Sequence, residues 1–272
     1  MNLLGPWQAE FFVGVLDDPR RDSDTLYNAM HLAFNPLPGL AIGLARTQQM
    51  CGANHACAPL RDFLDFDNEP ANPNATNDEL QIDLRWSHTL GGMPLQLYAS
   101  LMNEDSSPFT NSGTSHLFGA TLFLPMRRGT PLRPTVEYAD SIATTDMFSF
   151  GYVMYGVAYN NSGYADGMRY RGRTLGFSLD SDSRLLSLQG AWSDDKGRFY
   201  EISLHHAEIS HPGNLAGNAV TSAPVRLNIG ELRMSLPWQA MKLDLALRLQ
   251  DDQPRPHRRF DAAFELALRA PL

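Results

Sequence analysis

KLDLALRLQ, residues 242–250, places Leu243, Leu245, Leu247 and Leu249 on every second position, with Asp244, Ala246, Arg248 and Gln250 between them. A strand sends successive side chains to opposite faces, so four leucines line one side and the polar residues line the other. In a soluble sandwich the leucines would meet a second sheet and the charges bulk water. In an outer-membrane barrel they would meet lipid, with the charges in an aqueous lumen.

The same alternation runs almost from end to end. WQAEFFVGV (7–15), ELQIDLRWS (79–87), PLQLYASLMNED (94–105) and FDAAFELALRA (260–270) repeat it, and weaker strands read at 26–35, 40–50, 116–127, 133–143, 148–159, 168–179, 185–193, 198–209 and 227–236. That makes about fourteen strands of roughly ten residues, the crossing length of a tilted membrane strand. Connections fall into two sizes. Short ones such as NPLPG (35–39), TLGGMP (89–94) and LPWQAM (236–241) alternate with long ones such as 17–25, 51–78, 104–115, 211–224 and 251–259. Short turns at one end and long loops at the other is the outer-membrane pattern. The up-down count keeps its parity with 148–159 taken as a strand of its own. A helical turn or two is expected only at 58–66, APLRDFLDF.

Composition narrows the partners. The chain has 272 residues, with 22 Lys and Arg against 30 Asp and Glu, a net charge of −8. A duplex nucleic acid would call for a basic face, so no nucleic-acid partner is expected. No apolar run approaches ~18 residues, which excludes helical spans but not a barrel. The polar face carries both signs: Glu10, Asp83, Arg85, Glu137, Arg169, Arg171, Arg173, Arg233, Asp244, Arg248 and Arg269. Charges of both signs on one concave face fit a wet lumen cross-linked by ion pairs, where the planar fork of Arg holds carboxylates at two points. The fold expected is an all-β, antiparallel up-and-down transmembrane β-barrel.

Several segments also resemble the Wzi-type capsule assembly family of outer-membrane barrels: LAIGLARTQQMCG (40–52), LQLYASLMNEDSSP (95–108), PTVEYADS (134–141) and SGYADGMRYRGRTLGFSLDSDSRLLSL (162–188). GMRYRGRTLG (167–176) with the following DSDSR is the sharpest part, and LYASLMNED is a looser match to a strand ending in an acidic pair. The resemblance implies a closed barrel of roughly eighteen strands, an even number as such barrels have. It also implies a non-enzymatic role, binding or organising capsular polysaccharide at the cell surface. The chain then reads as a single barrel segment, 1–272, lacking amino-terminal strands and a signal peptide, in contact with outer-membrane lipid and monomeric. The alternative is a diffusion channel with a charged lumen.

The residues singled out carry two readings each. Arg169, Arg171 and Arg173, at i, i+2 and i+4, would share one strand face, either holding acidic groups of a sugar polymer or pairing with lumenal carboxylates such as Glu137. Tyr170, Glu104 and Asp105 join them as polysaccharide-binding or lumen-bracing residues. Cys51 and Cys57, in CGANHAC, suggest a small disulfide-closed ring in an oxidising compartment. His55 between them raises a metal reading, but no second ligand cluster follows at zinc-like spacing. Phe109, Asn160, Asn161 and Tyr164 are loop residues able to stack on or hydrogen-bond sugars. No G-x-S-x-G turn and no phosphate-cradling glycine loop occurs, so neither nucleophilic catalysis nor a cofactor is expected.

Overall fold

The computed structural model describes residues 5–17, 19–53, 55–57, 76–104, 113–145, 152–211, 217–253 and 260–270. The 58–66 stretch, Asp105 and Phe109 lie outside them.

Twelve long strands form one antiparallel sheet, each beside its predecessor. They are β1 (Trp7–Leu16), β2 (Thr25–Leu37), β3 (Leu40–Met50), β4 (Thr76–Leu90), β5 (Met93–Glu104), β6 (Thr114–Leu122), β7 (Arg133–Thr144), β11 (Arg184–Ser193), β12 (Phe199–Ile209), β13 (Val225–Trp238), β14 (Met241–Gln253) and β15 (Phe260–Arg269). Three two-residue strands lie between β7 and β11: β8 (Val153–Met154), pairing the end of β7, and β9 (Arg169–Tyr170) with β10 (Arg173–Thr174), a separate ribbon.

The expected crossing strands at 148–159 and 168–179 are therefore absent as such. Both lie inside one long excursion between β7 and β11, which are direct neighbours in the sheet. Removing a consecutive pair leaves the up-down parity intact, so the connections still sort by end. Residues 38–39, 91–92, 123–132, 194–198 and 239–240 lie at one end; the strand ends from which the longer connections leave, Leu16, Met50, Glu104, Thr144, Ile209 and Gln253, lie at the other. The two-residue turn Gly91-Gly92 has positive φ at both positions, the backbone that matches strand twist.

Register settles which residues share a face. Residues directly opposite across the ladder point the same way, so Arg248, Glu231, Ser203, Gln189 and Thr135 line one face along with their neighbours. On that face Arg233 reaches Glu231 at 2.9 Å and Glu201 at 3.8 Å, Arg248 reaches Glu231 at 3.7 Å, and Arg269 pairs with Asp244. These are the cross-links expected of a wet lumen. The opposite face carries Leu243, Leu245, Leu247 and Leu249 beside Leu232, Met234, Phe264 and Leu266. Among the described residues no second sheet covers it, since the only other sheet is the two-stranded ribbon. Outward-facing charges resume only towards the long-loop ends, in Arg46–Asp78 (3.2 Å), Arg184–Asp140 (3.0 Å) and Arg226–Glu208 (3.2 Å).

The four tryptophans mark the other border. Trp7, Trp86, Trp192 and Trp238 all face outward close to the short-turn end. Trp7 stacks on Phe34 with centroids 4.7 Å apart, and Trp192 on Tyr200 at 5.0 Å. Such rings have an apolar body and a polar N–H, which suits the headgroup level of a bilayer.

One inward contact fixes a glycine. Tyr98 lies across Gly119 on the neighbouring strand, and its hydroxyl donates to Glu137 at 2.7 Å. A Cβ at Gly119 would overlap the Tyr98 ring. Gly119→Ala should therefore displace the ring from Glu137 and cost ~1–3 kcal/mol, measured by urea unfolding of the lipid-folded protein.

Candidate functional site

The excursion after β7 folds into a plug at the long-loop end. Its centre is apolar: Ala158, Tyr164 and Met168 have no exposure and Tyr159 has 4%. Tyr27, Met102, Leu175 and Phe177 pack against it, and Tyr27 and Met102 belong to the inward face. Loops from opposite flanks of the sheet meet on it. Arg20, between β1 and β2, donates to the carbonyls of Arg169 and Gly167; Gln49 of β3 donates to Gly167 at 3.0 Å; Ala219, between β12 and β13, donates to Asp180 at 2.7 Å. Strands so far apart in the sheet can share one plug only because the sheet curves round it.

Local chemistry shapes the segment. Asn161 accepts from the backbone N–H of Gly163 and of Tyr164, closing a turn. Gly167 has φ of +62°, and a Cβ there would overlap the Tyr159 carbonyl. The Tyr159 hydroxyl accepts from Phe177 N–H at 3.0 Å, and its own N–H donates to Glu104. Glu104 is thus a buried brace holding the plug.

The arginines do not form a row on one face. Arg171 and Gly172 make the turn of the β9–β10 ribbon, with φ of +50° and +71°. Pairing of Arg173 with Tyr170 and of Thr174 with Arg169 puts Arg169 and Arg173 on opposite faces. A two-residue hairpin turn intervenes where an uninterrupted strand was expected. Arg169 points into the plug and grips Asp180 at two points, Nε to Oδ2 at 2.7 Å and Nη2 to Oδ1 at 2.6 Å; the Arg side chain is 11% exposed and the Asp none. Asp180, not Glu137, is its carboxylate partner. Tyr170, Arg171 and Arg173 stay on the outer side: Arg171 lies 5.0 Å over the Tyr170 ring, the Tyr170 hydroxyl donates to Asp17, and Arg173 is exposed with no ion pair among the described residues.

Asp180 opens a buried knot that sequence reasoning quoted as DSDSR without assigning it a role. Asp180, Ser181, Asp182 and Ser183 are all at most 3% exposed, and both aspartates have positive φ. Ser141 of β7 donates to the Asp180 carbonyl at 2.6 Å, and Asp182 takes Gly156 N–H on both oxygens at 2.9 and 3.0 Å. Burial pushes the Asp182 carboxyl above its usual range in spite of that N–H.

Cys51 and Cys57 are joined in a disulfide. The ring presents His55, which stacks on Tyr164 with centroids 4.0 Å apart and meets Asp22 at 3.0 Å. Tyr164 donates to the Cys51 carbonyl at 3.1 Å, and Asp22 accepts from Ala165 N–H. Tyr164 is fully buried, so it is a plug anchor and not a sugar-facing ring; Asn160 accepts from Arg169 and Asn161 closes its turn. Among the described residues of this segment the exposed aromatics are Tyr152 and Tyr155. Opening the disulfide ring frees His55 from one side of the plug. Cys51→Ser should weaken that anchorage by ~2 kcal/mol, read as faster limited proteolysis of the plug under non-reducing conditions.

The profile of the family described as Capsule assembly protein Wzi matches residues 1–252. Comparison with curated proteins finds no match. Among solved structures the fold is similar to Wzi of Escherichia coli, described as an outer membrane protein involved in group 1 capsule assembly and a carbohydrate-binding β-barrel. The TM-score is 0.77 at 20% identity, covering 98% of this chain and 56% of that one. The chain thus spans little more than half the length of the solved protein it matches. With a plugged, outward-apolar antiparallel sheet and a family match over most of its length, the chain belongs to the Wzi capsule assembly protein family.

Proposed function

We propose that the chain forms the wall and plug of an outer-membrane barrel that holds surface polysaccharide at its long-loop end, without catalysing a reaction. The observation carrying this is the exposed side of the ribbon. Tyr170, half-buried with Arg171 over one face of its ring, supplies aromatic surface for a sugar, and Arg171 and Arg173 bring two exposed guanidinium groups to it. A guanidinium binds a carboxylate at two points, and an aromatic face takes the C–H face of a pyranose, so the ligand is an acidic capsular polysaccharide. Outer-membrane lipid meets the leucine face, and the protein acts as a monomer. The plug argues against a diffusion channel, because Tyr159, Met168 and Phe177 pack against inward-facing Tyr27 and Met102.

The test separates Arg169 from its neighbours. Arg171→Gln combined with Arg173→Gln should reduce retention of an acidic polysaccharide on cells at least several-fold at equal surface abundance, and spare a neutral one. Unchanged retention of the acidic polymer would sink the assignment.

A further inference from the structure

Beneath the plug lies a cavity of about 430 Å³, within the range of small-molecule sites, about 300–1,000 Å³. Its walls are mostly inward-facing residues of β3 to β7, among them Thr47, Glu79, Gln81, Ser100 and Ser115; its roof is Tyr159 and the 175–178 stretch. A second cavity of about 620 Å³ adjoins it along the inward face, sharing Gln81, Ser100 and Leu117.

Two polar groups on the wall of the upper cavity are unsatisfied among the described residues. Glu79 is 5% exposed; its Oε2 accepts from Thr47 at 3.2 Å, while its Oε1 has no donor. Ser115 is 7% exposed, and its hydroxyl has no partner. A buried carboxyl oxygen without a partner is costly, so a ligand carrying hydroxyl groups is favoured there. The remaining wall mixes hydroxyl and amide groups with Met102, Leu117 and two alanines, and the roof supplies the rings of Tyr159 and Phe177. Among the described residues no lysine or arginine lines the cavity. An anion taken into such a site would lose its hydration with no cation to replace it.

We infer that this cavity is a subsite for one uncharged pyranose unit, whose hydroxyls donate to Glu79 and bond Ser115 beneath the aromatic roof. The sugar class rests on the carbohydrate reading above. The place and the preference for a neutral unit do not, and they are opposite in charge to what the ribbon selects. The two sites would thus take different sugars of a mixed polymer, acidic outside and neutral within.

The test uses the full chain in detergent micelles, with folding checked by the heat-dependent gel shift of barrels. Saturation-transfer NMR with D-glucose, D-galactose and D-glucuronate should show weak, millimolar binding of at least one neutral hexose and none of the uronate. Glu79→Gln should weaken the hexose at least tenfold, since it puts an amide NH2 in place of a carboxyl oxygen that accepts from the sugar. Ser100→Leu fills the cavity from a residue with no role in the plug contacts and should abolish binding. It decides the matter if the Glu79 variant fails to fold. Absence of signal from both hexoses means the cavity holds water only and overturns the proposal, as does equal uronate binding or a signal unchanged in the folded variants. None of these results bears on the ribbon: loss of acidic-polymer retention in the Arg171 and Arg173 variant would leave the functional reading standing while the cavity proposal fell.

Discussion

Asp180→Ala should unlock the plug while leaving the sheet folded. The carboxylate accepts from both Arg169 nitrogens and from the backbone N–H of Ser181 and Ala219, and it is wholly buried. Removing it leaves the Arg169 guanidinium buried without a counter-charge, a loss of ~3–5 kcal/mol rather than the small value of a surface pair. The cost falls on local opening of 152–183, because the twelve-strand ladder is made by backbone bonds that do not involve this pair. Trypsin should then cut at Arg171 or Arg173 on the order of 100-fold faster or more, since cleavage follows the open population. Current through a planar bilayer should rise in parallel. Asp17→Asn is the matched control. Asp17 meets Tyr170 and Arg171 on the same ribbon, but its pair with Arg171 is exposed, so cleavage should hardly change. Wild-type cleavage in Asp180→Ala would mean that the plug is held by its apolar centre alone.

That lock explains where sequence reading succeeded and where it stopped. Alternation placed twelve strands because register and burial in a membrane barrel depend on the same period of two. GMRYRGRTLG also alternates, but its glycines at 167 and 172 take positive φ and turn the chain into a short ribbon. Glycines at those places are the local signal against a strand. The partners of the plug were not legible, because Arg20 and Gly167, or Gln49 and Gly167, are more than a hundred residues apart. DSDSR was visible as a motif, yet only the fold reveals that its first aspartate closes on Arg169 eleven residues earlier. The tryptophans were readable: Trp86 and Trp238 stand beside TLGGMP and LPWQAM, the turns that define the short end.

Leu247→Arg should cost ~2–4 kcal/mol of folding free energy in lipid vesicles, the penalty for an arginine near the bilayer midplane. Leu247 lies at the middle of β14, outward, between Leu232 of β13 and Phe264 of β15, and is 38% exposed. Two controls give the measurement its meaning. Ala246→Gln, one residue away on the inward face between Arg233 and Glu265, should cost far less, because that face already carries charge and water. Leu268→Arg is also outward but lies close to the short-turn end, opposite Leu243. There the arginine can reach the headgroup level, so its cost should fall to ~0–1 kcal/mol. A leucine face buried against protein would instead penalise both outward arginines and show no dependence on height. Urea unfolding of the vesicle-folded variants gives all three values. A penalty that is large at 247, small at 268 and smaller still at 246 requires lipid on one side of the strand and water on the other. Equal penalties at 247 and 268 would place something other than a bilayer against the leucines.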